Sequence, residues 1–142
     1  MRESNSFLPI LLLSLLGLIF VLHALAASFG WYLRYPAFSI IPHFLGGFWI
    51  GCLALYYARS RSAFVTLPKS PWGRAVLFLA FVALVGVMWE FYEFMFDRVM
   101  IAIGNPFRTQ PSLADTMGDL AMDLFGGCVF TFFAAWGDRK EA

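Results

Sequence analysis

Asp115-Thr-Met-Gly-Asp119-Leu-Ala-Met-Asp123-Leu-Phe-Gly-Gly127 is the stretch that decides how this chain is read. A carboxylate recurs at every fourth position, and the last one runs straight into an apolar segment that ends near Trp136. At about 100° per residue on a helix, steps of four drift by only about 40°, so all the carboxylates share one stripe. An acidic stripe facing lipid is strongly unfavourable, so it must face protein, water, protons or a cation. The rest of the sequence reads as the housing for that stripe.

Composition says what kind of housing it is. Of 142 residues, 61% are hydrophobic, 19% aromatic and only 13% charged. Soluble domains carry roughly 25% charged residues, so this is the composition of one membrane domain over residues 1–142. A net charge of +1, with no basic run interleaved with aromatics, gives no basis for nucleic-acid binding. Cys52 and Cys128 both sit in apolar segments without the spacing of a thiolate metal site, and read as small packing residues.

Hydropathy divides the chain into four expected transmembrane helices, about 7–29, 39–57, 75–96 and 114–136, packed as a compact all-α bundle. The first run has Arg2 ahead of it and an Ala24-Leu25-Ala26 sequence that resembles a signal cleavage site. Its length and its His23 favour a retained helix over a signal peptide removed near residue 26. In the second, Gly47 and Gly51 flank three larger residues, a spacing that lets another helix approach closely. The 58–74 segment, with Arg59, Arg61, Lys69, Arg74, Pro68 and Pro71, reads as a loop. So does 97–113, broken at Gly104-Asn105-Pro106 and at Pro111.

Orientation follows from the distribution of positive charge. With 58–74 on the cytoplasmic side, both termini are cytoplasmic. Arg2, Arg59, Arg61, Lys69, Arg74, Arg139 and Lys140 then lie inside, against Arg34, Arg98 and Arg108 outside. This topology brings His23, His43, Glu90, Glu93, Asp115, Asp119 and Asp123 into the same, outer half of the bilayer. Gly86, Glu90, Glu93 and Asp97 share a stripe on the third helix, and Gly126 continues the aspartate stripe of the fourth. Helices in contact at the glycines and splayed above them would enclose a polar pocket. Asp97 and Asp138 read as ordinary interfacial charges, Asp115 as a ligand or a helix N-cap, and His23 as a packed or interfacial histidine. Trp31, Trp72, Trp89 and Trp136 read as interface anchors.

Carboxylates with imidazole and no thiolate suit a hard or borderline divalent cation. The expected metal ligands are Glu90, Glu93, Asp115, Asp119 and Asp123, for Mg, Mn or Zn. Two other readings stay open at this point: carboxylates that carry protons, and a polar plug neutralised by loop arginines that only fixes packing. There is no GxSxG, P-loop, HExxH or dinucleotide-binding glycine motif.

Three motifs occur in order: Ile41-Pro42-His43-Phe44-Leu45-Gly46-Gly47-Phe48, Trp89-Glu90-Phe91-Tyr92-Glu93, and Asp115-Thr116-xx-Asp119-Leu120-xx-Asp123-xx-Gly126. Over roughly residues 40–130 the chain resembles the small bacterial inner-membrane proteins of the YjdF type, which are similar to VanZ-like proteins. The resemblance implies a multi-pass protein of the bacterial plasma membrane with His43, Glu90, Glu93, Asp115, Asp119 and Asp123 as its polar motif residues. VanZ-like proteins are associated with glycopeptide resistance, without an established biochemical activity.

Together these readings give an acidic site opening to the outer leaflet. As an enzyme, it would be a metal-dependent membrane hydrolase or transferase acting on a lipid-linked or cell-envelope substrate. His43 and Glu90 would be catalytic, and Arg108 on the 97–113 lid would hold an anionic head group. The alternatives are a proton- or cation-coupled transport or accessory subunit, whose path a homo-oligomer would complete, and a purely structural interaction protein.

Overall fold

The computed structural model describes residues 7–59 and 66–140, and among these its only regular secondary structure is helix. Among the described residues, four helices are long and apolar enough to cross a membrane. They are α1 (Phe7–Phe29), α3 (Ile40–Arg59), α4 (Pro71–Ala102) and α5 (Leu113–Lys140). Between the first two of these lie the short α2 (Trp31–Arg34) and a 3₁₀ turn (Pro36–Ser39). The connections make α3 and α5 run one way and α1 and α4 the other.

The surface is inverted relative to that of a soluble protein. Phe7, Leu13, Phe20, Leu84, Met88, Phe91, Phe132 and Phe133 are all exposed, while the most buried positions include aspartate, glutamate and histidine. In lipid, exposed apolar side chains cost nothing, and helices associate through packing and polar contacts instead.

Helix α3 packs most extensively on α5, and glycine is the reason. A Cβ at Gly47 would overlap the main chain of Asp123, and a Cβ at Gly126 would overlap the main chain of Phe44 and Phe48. Two parallel backbones therefore touch directly at mid-helix. Towards the far end, the ring of Phe130 fills the space over Gly51 and packs edge-on against Phe48 and Phe78. Leu12, Cys52, Phe78 and Phe130 form the apolar core there, and Trp49 ties α1 to it by donating to the Leu12 carbonyl at 2.8 Å. Nothing in the spacing of residues signals that bond.

Helix α4 extends past both ends of the expected 75–96 stretch. Pro71 occupies its first turn and Ser70 caps it, accepting from the Gly73 amide at 3.0 Å, so the proline starts the helix where it had read as loop. At about 1.5 Å per residue, 32 residues make a rod of about 48 Å, well over the roughly 30 Å of a hydrocarbon core. Gly104, at φ 73°, ends it. The Asn105 amide bonds the Met100 carbonyl and the Gly104 amide bonds the Ile101 carbonyl, a Schellman closure that turns the chain back into the 103–112 loop.

Candidate functional site

The α3–α5 crossing sets the register of the site. His43 stands one turn before Gly47 on α3, and Asp119 one turn before Asp123 on α5. Contact at Gly47 and Asp123 therefore brings the imidazole between the two aspartates. His43 Nδ1 lies 3.3 Å from Asp123 Oδ2, and His43 Nε2 lies 3.7 Å from Asp119 Oδ2. From α4, Glu90 Oε1 approaches His43 Nδ1 at 4.0 Å. Gly86, one turn below Glu90, leaves room for Asp123, whose carboxylate a Cβ there would meet at 2.7 Å. His43, Glu90, Asp119 and Asp123 are 7%, 6%, 2% and 7% exposed.

The carboxylates are held in a consistent way. Asp119 Oδ1 accepts from the Ser39 hydroxyl at 2.9 Å, and its Oδ2 faces His43. Glu90 Oε2 accepts from the Gln110 side-chain amide, which also donates to the Glu90 carbonyl at 2.9 Å. Glu90 Oε1 is buried and has no hydrogen-bond partner in the protein. One oxygen of each acid is thus fixed and the other directed at the cluster. A buried carboxylate oxygen left without a donor is costly unless something else satisfies it.

His43, Glu90 and Asp119 each offer one ligand atom, all within 4.8 Å of one another. That is slightly wider than atoms sharing one ion at about 2.1 Å each, so a small inward movement would complete a site. Asp123 is the adjacent fourth group. The other two expected acids sit one turn nearer the loop. Glu93 Oε1 accepts from the Trp89 indole at 3.0 Å, while its Oε2 and Asp115 Oδ2 are buried without partners. Ser112, not Asp115, caps α5, accepting from the Asp115 amide at 3.2 Å, which leaves the Asp115 carboxylate for the cavity.

That cavity, of about 530 Å³, opens beside the cluster. Glu93, Asp115, Asp123, His43, Arg108, Tyr32 and Trp89 line its loop end, and Leu16, Ile19, Ile50, Val82 and Val85 its deeper end. Arg108 reaches it as a loop residue whose Nη1 donates to the carbonyls of Asn105 and Phe107. Tyr32 has its phenol pKa raised, by burial first and then by Glu93 and Asp119, so it stays protonated at neutral pH. Its hydroxyl pairs with His23 Nδ1 at 2.9 Å, which keeps His23 at the rim, on the cavity wall but outside the ligand cluster.

Asp97 corrects the sequence reading. It is 6% exposed rather than an ordinary solvated charge, and accepts from the Thr109 amide and hydroxyl and from the Gln110 amide at 2.8–3.0 Å. Its place on the Glu90–Glu93 stripe was readable; its role as the anchor of the 103–112 loop was not. Trp89, 47% exposed, also donates its indole N–H to Glu93 Oε1, and Trp72 is 83% exposed. Ser39, Thr109 and Gln110 are the site residues that sequence reasoning missed. The side chains of Trp136 and Asp138 lie outside the described residues, as do the segments containing Arg2 and Arg61.

A family profile described as "Predicted membrane protein (DUF2238)" matches residues 2–139. No curated protein and no solved structure gives a significant match.

Proposed function

We propose that this chain, which belongs to the DUF2238 family of membrane proteins, holds a divalent cation (Mg, Mn or Zn) between His43, Glu90 and Asp119 in the outer half of the bilayer. One observation carries the reading: the buried Glu90 Oε1 has no donor, its partner oxygen is clamped by Gln110, and it faces the imidazole and Asp119. Fixing one oxygen of each ligand and leaving the other to the ion is how metal sites orient their carboxylates. A bound cation would act as a Lewis acid toward a phosphate or carbonyl of a lipid-linked or cell-envelope substrate. Around it the chain supplies Ser39 and Gln110 to hold the ligands, Asp123 to orient His43, and a cavity that admits the substrate. The positive-charge bias supports a reading with the loop end of the site outside. The likeness of the His43, Glu90–Glu93 and Asp115–Asp123 motifs to YjdF-type and VanZ-like proteins supports assignment to the bacterial plasma membrane.

The test combines binding with sidedness. In sealed, right-side-out vesicles loaded with Mn²⁺, an impermeant chelator added outside should remove the protein-bound ion. Removal only after permeabilisation would put the site on the other side. No bound Mn²⁺ at any stage would remove the metal.

A second reading rests on a separate observation. Both ring nitrogens of His43 face carboxylate oxygens, and a neutral imidazole can donate from only one of them. The cluster could therefore store a proton, as a coupled transporter or accessory subunit would require. Yet no Asp, Glu or His occurs in 44–58, 75–89 or 124–136, so one chain offers no ionisable path through the other half. Proton or cation flux in proteoliposomes that is abolished by Asp123→Asn would favour this reading over the metal.

A further inference from the structure

The cavity has more acid than one cation site uses. Glu93 Oε2 and Asp115 Oδ2 are buried, partnerless, and belong to residues on the cavity wall. Glu93 is three residues beyond Glu90 on α4, and Asp115 four residues before Asp119 on the oppositely running α5. Both are therefore displaced toward the loop, by about 4.5–6 Å at 1.5 Å per residue. The Trp89 indole fixes Glu93 Oε1 and leaves Oε2 without a donor. Trp89 and Tyr32 add aromatic faces to the same wall, where a desolvated ammonium is favoured. A purely anionic head group would meet these two acids with one counter-charge on the wall, Arg108, whose Nη1 is already engaged by the Asn105 and Phe107 carbonyls.

Away from the loop the lining changes to Leu16, Ile19, Ile50, Val82 and Val85. The polar groups therefore end at the His43 cluster, and an apolar channel continues beneath it. At about 530 Å³ the space falls within the roughly 300–1,000 Å³ of small-molecule sites, enough for a head group and the start of a chain.

We infer that the cavity takes an amphiphile whose head group is a two-carbon amino-alcohol phosphate. The phosphate lies at the His43–Glu90–Asp119 cation, the ammonium lies one turn further out at Glu93 and Asp115, and the chain points toward Ile19 and Val85. This placement rests on the cation reading above. The two-carbon spacer matches the single helical turn between the two acidic levels, and the order of groups matches a lipid entering from the outer leaflet: amine outermost, phosphate next, chain deepest. A free phosphorylated amino alcohol shares the head-group chemistry but leaves the apolar end unfilled.

The experiment uses the full chain in detergent, with Mn²⁺ followed by electron paramagnetic resonance and bound lipid counted by native mass spectrometry. Phosphatidylethanolamine, phosphatidylcholine and phosphatidylglycerol are offered in turn, with O-phosphorylethanolamine as a soluble competitor. The expected result is one phosphatidylethanolamine per chain, preferred over the other two. Glu93→Gln and Asp115→Asn should each cut that preference by about 10-fold or more, the usual loss of a charge-assisted bond, while Mn²⁺ stays bound. Retained Mn²⁺ certifies that a variant is folded. Equal binding of the three lipids, or a preference unchanged in both variants, with Mn²⁺ bound, overturns the inference and leaves the metal proposal standing. Preference for the amine lipid without any Mn²⁺ supports the ammonium level and removes the cation beneath it. Competition by O-phosphorylethanolamine at equal affinity supports the head group and overturns the lipid.

Discussion

The side-chain amide of Gln110 donates to both the carboxylate and the main-chain carbonyl of Glu90. A loop residue thereby holds a membrane-buried acid by two points, and the 103–112 loop and the cluster become one mechanical unit. Gln110→Ala should release Glu90 Oε2 and let the side chain turn. Groups that orient a ligand typically cost about 10–100-fold in metal affinity when removed. A Mn²⁺ titration of the folded variant checks this, and Gln110→Glu should fare no better, because it places a second acid against the first.

Asp97 carries the same coupling from the other side. Its carboxylate receives the Thr109 and Gln110 amides and the Thr109 hydroxyl, so Asp97→Ala strands both amides and leaves the hydroxyl only the Glu93 carbonyl at 3.4 Å. The expected outcome is faster amide exchange across 103–112 and weaker metal binding, with the α3–α5 contact unchanged. Hydrogen exchange measured segment by segment reads the first effect separately from the second.

Much of this was legible in the residues. The four apolar runs follow from hydropathy, the glycine contacts at 47 and 126 from helical spacing, and the meeting of His43, Glu90 and Asp119 from the alternation of the spans. What spacing does not encode is the connection between loop and helix. Gln110 and Thr109 lie among prolines in a segment without periodicity, and Ser39 sits at a helix start where any small polar residue would do. Their partners are fixed by how 103–112 folds back over α4, which depends on Gly104 and on Asp97. The reach of α4 beyond 75–96 is hidden for a related reason: Pro71 is compatible with both loop and helix start, and Asp97–Arg98 reads as the start of a loop unless the fold satisfies the aspartate.

The glycine contacts supply a packing test. Gly47→Leu and Gly126→Leu each force a side chain into a neighbouring backbone and should destabilise the bundle by about 3 kcal/mol or more, beyond the usual range for overpacking. Gly118→Ala has nothing within 4 Å of its added methyl and should be tolerated. Thermal unfolding in detergent, followed by size-exclusion chromatography, separates the two classes.

Topology can be read independently of metal. A cysteine introduced as Asn105→Cys, in a Cys52→Ala, Cys128→Ala background, should react with an impermeant maleimide in intact cells. One introduced as Lys69→Cys should react only after permeabilisation. The reverse pattern would invert the bundle and put the cavity mouth on the cytoplasmic side.

The central claim is that Glu90 and Asp119 share an ion with His43. The most direct measurement is metal content by mass spectrometry of the purified chain, equilibrated with Mg²⁺, Mn²⁺ or Zn²⁺, beside Glu90→Ala and Asp119→Ala. The account predicts about one ion per chain in the parent and none in either variant, the result of removing one of three ligands. A parent with no bound ion, or variants that keep the parent stoichiometry, would contradict it.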